Sequence, residues 1–143
     1  MEGSGTLEVL LIEAHCVQDK EIFGKMDPYV IIRYGHQEQK SNVARGQGTN
    51  PVWNQRLNFE AKYPSGDHEN PNYKLTFTIM DRDTFTKDDF VGDSVVYVKD
   101  VVSLGVENGT AELRPTKYRV VRRDKTYSGE IEVGVTFTRN KGT

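Results

Sequence analysis

Alternation, not helical spacing, governs the apolar residues of this chain, and that period admits only a narrow range of folds. The run YKLTFTIMD (73–81) shows it most cleanly, with Leu75, Phe77 and Ile79 on one face and Lys74, Thr76 and Thr78 on the other. TLEVLLIEA (6–14) begins the same way through Leu7, Val9 and Leu11. PYVIIRYG (28–35), QEQKSNVA (37–44), VWNQRLNFEA (52–61), GDSVVYV (92–98), AELRPTKYRVV (111–121) and GEIEVGVTFT (129–138) complete the set. Turns such as YGH and GQGTNP separate them. Only KDVVSLGVENG (99–109) departs from this, with one short helix near residues 99–105 that Gly105 would end. Eight short strands at regular spacing predict an all-β fold, an eight-stranded antiparallel β-sandwich. At 143 residues the chain has the length of one domain, 1–143, with an ordered core expected from about 5 to 138.

If every strand reverses direction, the odd-numbered strands all finish at one end. The connections 15–27, 45–51, 81–91 and 122–128 then gather there. The third holds IMDRDTFTKDDFVGD, with Asp81, Asp83, Asp88, Asp89 and Asp93 in one short segment. Asp81 continues the inward row of Leu75, Phe77 and Ile79, and Asp83 continues it again if the chain stays extended. A carboxylate facing that way must be paired or sit at an open mouth. Two carboxylates about 4 Å apart repel by roughly 1 kcal/mol in water and about 4 kcal/mol at an effective dielectric near 20. Arg82 points the other way, and no Lys or Arg shares the parity. The first connection adds Asp19, Glu21 and Asp27 at the same end. A hard divalent cation fits such a set, since calcium takes about 6–8 oxygens from separate loops. A merely solvated Asp-rich turn accounts for the composition equally well. Two familiar metal patterns are excluded. An EF-hand loop would need an oxygen ligand and a glycine where Phe85 and Thr86 stand, and His15, Cys16, His36 and His68 lack zinc spacing.

Composition narrows the function further. The net charge of −2 gives no global reason to bind nucleic acid, and no apolar run approaches the length that spans a bilayer. No signal peptide is visible, and Cys16 is the lone cysteine, so the expectation is a reducing, cytoplasmic setting. The near-neutral total hides an asymmetry: residues 113–143 carry eight Lys/Arg against three Asp/Glu and leave the rest of the chain acidic. There is no nucleophile elbow and no phosphate loop, so the expectation is not an enzyme. Trp53 reads as a packing residue.

Three stretches, GKMDPYV, NPVWN and MDRDTFTKDDFVG, stand in an order and spacing that resemble the C2 domain family. The resemblance runs from GTLEVLLIEA to GEIEVGVTFT, and the layout is similar to the small single-C2 proteins of plants, the elicitor-responsive and 16-kDa phloem group. It implies type II topology, because one strand precedes the MDPY loop, and Ca2+ held between loops at one end. Carried over position by position, the ligands are Glu21, Asp27, Asp81, Asp83 and Asp89. Glu21 stands where the family usually has Asp, one methylene shorter. Asp88 and Asp93 match no ligand position and are expected to be solvated.

The resemblance further implies calcium-dependent binding to anionic phospholipid membranes by a small signalling or trafficking module of plant defence. Such a module would be cytoplasmic, monomeric and recruited to the plasma membrane when calcium rises. Ile22 and Phe23 in the first loop and Phe85 in the third are candidate lipid-contacting tips, unless they fold back onto the sandwich. Arg122, Arg123 and Lys125 are candidate contacts from the fourth connection, against the alternative of a solvated hairpin. Arg33, Lys40 and Arg45 could form a separate, thin basic patch. The competing function is a calcium-independent interaction module for a protein partner or RNA, with a weak calcium site.

Overall fold

The computed structural model describes residues 2–18, 25–65 and 70–141. In chain order the elements are β1 (Gly3–His15), β2 (Pro28–Tyr34), β3 (Gln37–Lys40), β4 (Val52–Tyr63), β5 (Lys74–Asp81), β6 (Asp89–Tyr97), α1 (Lys99–Asn108), β7 (Thr110–Val121) and β8 (Tyr127–Arg139). All neighbours are antiparallel, in the order β3-β2-β5-β6-β7-β8-β1-β4. The expected eight-stranded sandwich is therefore present.

Strands β6 and β7 share one pairing, Asp93 opposite Val121. The order thus divides there into two four-stranded sheets that face each other. The opposite margin is closed by side chains. Gln37 donates through Nε2 to the Glu60 carbonyl (2.8 Å) and accepts from the Glu60 N–H through Oε1 (2.7 Å), while Gln39 Nε2 reaches the Asn58 carbonyl at 3.4 Å. These amides stand in for a strand partner and cover the β4 edge, which would otherwise be a template for aggregation.

Period-two alternation builds the core. Leu7, Val9 and Leu11 from β1, Val30 and Ile32 from β2, Leu75, Phe77 and Ile79 from β5, and Ile131, Val133, Val135 and Phe137 from β8 all point between the sheets and are buried. Each contributes about 1.5–3 kcal/mol by leaving water. A register step between Leu11 and Glu13 shifts the phase, so that Ala14 is the next inward residue of β1. Trp53 is partly buried against the core and donates its indole N–H to the Pro28 carbonyl at 3.2 Å.

Two boundaries differ from expectation. The helix runs through Gly105 to Asn108, because Gly105 lies where Phe137 packs: a Cβ there would fall 2.2 Å from the Phe137 ring. Strand β3 stops at Lys40 rather than Ala44. There the buried Ser41 hydroxyl, rather than a backbone carbonyl, accepts the Val30 N–H (2.8 Å), while the Ser41 N–H still donates to the Val30 carbonyl (2.9 Å).

The odd-numbered strands do end together. The Val17 N–H donates to the Thr49 carbonyl (3.0 Å), Gly48 to Met26 (3.0 Å) and Arg82 to Asp27 (3.0 Å). The Gln18 N–H meets Ser128 Oγ at 2.8 Å. All four connections are thus stitched into one surface.

Candidate cation site and loop surface

Sheet register brings the aspartates to this surface. Asp27 directly precedes Pro28, which pairs with Asp81 across β2 and β5. Between β5 and β6 the pairing steps from Ile79–Gly92 to Met80–Phe90, leaving Val91 as an extra residue. That bulge sets Asp89 opposite Asp81; an unbroken ladder would have put Phe90 there. The bulge is invisible in the alternation of the sequence.

Asp81 is 9% exposed, as its parity with the core row requires. Its Oδ1 accepts the Asp27 N–H at 2.8 Å. Asp27 in turn accepts the Gly46 N–H through Oδ1 at 2.6 Å. Burial pushes the Asp81 carboxyl above the ordinary carboxylate range; the Asp27 N–H opposes this, and the charges of Asp27, Asp89 and Asp83 add to it. None of the ion pairs Glu13–His15, Arg33–Glu38 and Glu8–Arg56 involves Asp81. A buried carboxylate among carboxylates, with no Lys or Arg partner among the described residues, fits a hard cation in chemical kind. Yet no three His, Cys, Asp or Glu side chains among the described residues form a group that could hold a metal ion. Glu21, Ile22, Phe23 and Asp19 lie outside the described residues.

Asp83 does not continue the strand row. The chain turns after Asp81, and Asp83 Oδ1 accepts the N–H groups of Phe85 (2.9 Å) and Thr86 (3.2 Å). Those bonds hold its carboxyl below the ordinary range. Asp88 is not the solvated residue expected. Its Oδ2 accepts the Tyr29 hydroxyl and its Oδ1 the Asp83 N–H (2.9 Å), and the Tyr29 bond leads the causes that lower its pKa. Tyr29, buried in β2, is pushed up to about 12, first by burial and then by Asp88. The sequence offered no signal for this pair, since the two residues are 59 positions apart. Asp93 lies in β6, where its backbone pairs with Val121 of β7.

The third loop does not fold back. Phe85 is 94% exposed at its tip. Arg123 is exposed and stacks its guanidinium 5.1 Å from the centre of the Phe90 ring, and Lys125 is exposed at the hairpin turn. Arg122 is only half-exposed, and its Nε donates to the Gln18 carbonyl at 2.8 Å. Its guanidinium thus ties the hairpin to the first connection. The basic residues Arg33, Lys40 and Arg45 sit on different elements. Arg33 is ion-paired to Glu38 at 2.9 Å beside Lys40 on β3, whereas Arg45 sits next to Gly46 on the loop surface.

A sandwich of this topology with acidic loops gathered at one end is the architecture of a C2 domain. The C2 domain family profile matches residues 5–113, and the chain belongs to that family. It is 46% identical over 141 residues to Elicitor-responsive protein 1 of Oryza sativa subsp. japonica, covering 96% of this chain and 87% of that one. It is 45% identical over 135 residues to 16 kDa phloem protein 1 of Arabidopsis thaliana, covering 94% and 85%. Both relatives carry elicitor-responsive or phloem-protein names. A solved C2 domain-containing protein superposes with a TM-score of 0.72 at 35% identity, over 100% of this chain and 96% of that one. The calcium-bound tandem C2 domains of Extended-Synaptotagmin 2 superpose with a TM-score of 0.68 at 24% identity, over 94% of this chain and 46% of that one. At that identity the likeness is one of fold. Among the described residues no helix is long and apolar enough to cross a membrane.

Proposed function

We propose that this chain is a non-enzymatic binding module that attaches to anionic phospholipid membranes through its loop surface when calcium is present. The observation that carries this reading is Asp81, a buried carboxylate that feels the charges of Asp27, Asp89 and Asp83 and has no basic partner among the described residues. Asp27, Asp81, Asp83 and Asp89, joined by Glu21 of the first loop, would hold the ion. When bound, calcium supplies positive charge that offsets the carboxylates and offers a coordination position to a lipid phosphate. The chain's own residues do the rest. Phe85 presents an unobstructed apolar tip, and Arg123, Lys125 and Arg45 belong to connections of the same end of the sandwich, each worth about 1 kcal/mol near an anionic leaflet. Ile22 and Phe23 would add to the apolar contact, and Arg122 would act from behind it. The setting is cytoplasmic, with recruitment to the plasma membrane as calcium rises. The names of the relatives support a role in plant defence signalling or trafficking.

Sedimentation with phosphatidylserine-containing vesicles tests the reading. The chain should pellet in calcium and stay in solution in EDTA or magnesium. Phe85→Ser should lower the vesicle partition about tenfold or more, the worth of one withdrawn phenyl ring, with an unchanged melting temperature. Equal pelleting in calcium and EDTA would instead favour calcium-independent attachment. No pelleting in either would favour a protein or RNA partner.

A further inference from the structure

We propose that Tyr29 and Asp88 are positioning residues that fix the shape of the third loop before any cation arrives. The bonds form a chain that starts in the sheet. The Tyr29 hydroxyl, anchored on β2, donates to Asp88 Oδ2. Asp88 Oδ1 accepts the Asp83 N–H at 2.9 Å. Asp83 Oδ1 then accepts the N–H groups of Phe85 and Thr86 at 2.9 and 3.2 Å. Both Asp88 oxygens carry a bond within the chain, and the one from Oδ1 holds the Asp83 N–H, so Asp88 acts on the loop through Asp83. Two consequences follow from the connectivity. The Asp83 carboxylate is aimed by its own backbone, which Asp88 holds. Phe85 is kept at the tip by the Asp83 bond to its N–H, and its side chain stays in solvent.

A loop ordered in this way loses little freedom when it binds, which improves affinity without adding contacts. This consequence for affinity rests on the calcium reading above; the ordering itself does not.

The test uses the full chain, first in EDTA. Amide hydrogen exchange should accelerate about tenfold or more at Asp83, Phe85 and Thr86 in Asp88→Ala, the effect of losing a bond to a charged acceptor. Exchange at Ile79 and Val133 in the core should not change. Tyr29→Phe should reproduce part of the effect. The double variant should be no worse than Asp88→Ala alone, because both changes break one chain. Asp88→Asn, which keeps an oxygen for the Asp83 N–H, should restore part of the protection. In calorimetric titration with calcium, Asp88→Ala should weaken the apparent Kd about tenfold.

Unchanged exchange at the three amides, or additive effects in the double variant, overturns the proposal. Accelerated exchange with an unaltered calcium Kd overturns the positioning role. If the parent chain binds no calcium, the calcium reading fails, and the exchange data alone decide whether the clamp exists.

Discussion

Asp81→Asn is expected to raise the melting temperature of the calcium-free protein and to erase the further rise that calcium gives the parent chain. The two halves have one cause. Folding removes Asp81 from water and sets it among Asp27, Asp89 and Asp83, so its pKa in the folded chain lies above the ordinary value of 3.8. Between 3.8 and that raised value the folded chain binds more protons than the unfolded one, and stability falls as pH rises through the window. Above it the full cost of the charge is present. An asparagine keeps the oxygen that accepts the Asp27 N–H and removes the charge. The gain in EDTA at neutral pH should be about 1 kcal/mol, the water-like end of carboxylate repulsion, or roughly 3 °C for a chain of this size. The gain should vanish as pH falls through the same window. Calcium at a hundredfold excess over Kd stabilises a folded state by about 2.7 kcal/mol, roughly 8 °C. The parent should show that shift in thermal melts with calcium, and the variant should not. A variant that melts below the parent in EDTA would mean the negative charge is already compensated in the folded chain. A parent indifferent to calcium would remove the cation site.

Burial of Asp81 was legible because a strand face repeats every two residues and its parity is inherited from Leu75, Phe77 and Ile79. The clustering of the odd-numbered connections was legible for a similar reason, since antiparallel order alone dictates it. What alternation cannot carry is a change of phase. The extra residue at Val91 is what sets Asp89 opposite Asp81, and nothing in the pattern of β6 marks it. Gly105 misled for a different reason. Read locally, a glycine in a short helix looks like a stop signal; in the fold it is the gap that admits the Phe137 ring. The Tyr29–Asp88 bond and the Arg122 bond to the Gln18 carbonyl are tertiary facts. Both turned residues that had seemed peripheral, or lipid-facing, into supports of the loop surface. Phe85 was undecided between core and solvent because a single aromatic in a turn has no periodic neighbours to fix its direction.

The same surface should depend on one backbone contact that no side chain can relieve. Gly129, beside Ser128 where β8 leaves the hairpin, has φ +68°. A Cβ there would stand 1.9 Å from the His15 carbonyl oxygen and 2.6 Å from the Cys16 carbonyl carbon. Those atoms are backbone at the end of β1, opposite Glu130 in the ladder, so a rotamer change cannot make room. Gly129→Ala therefore combines a left-handed conformation costing roughly 1–2 kcal/mol with an overpacking cost of about 1–3 kcal/mol. The expected loss is about 3 kcal/mol, roughly 10 °C. Gly46→Ala is the matched comparison. It has nearly the same φ, +67°, with nothing within 4 Å of the added Cβ, and it keeps the N–H that Asp27 accepts. It should lose only the conformational part, about 1–2 kcal/mol. Because the strain falls where β1 and β8 enter the loop surface, Gly129→Ala should also loosen the anchoring of Gln18 by Ser128 and Arg122. Faster amide exchange at Gln18 would read this directly. Equal losses from the two glycine substitutions would show that the β1 terminus yields, and that close packing of the first connection against the hairpin does not hold this end of the sandwich together.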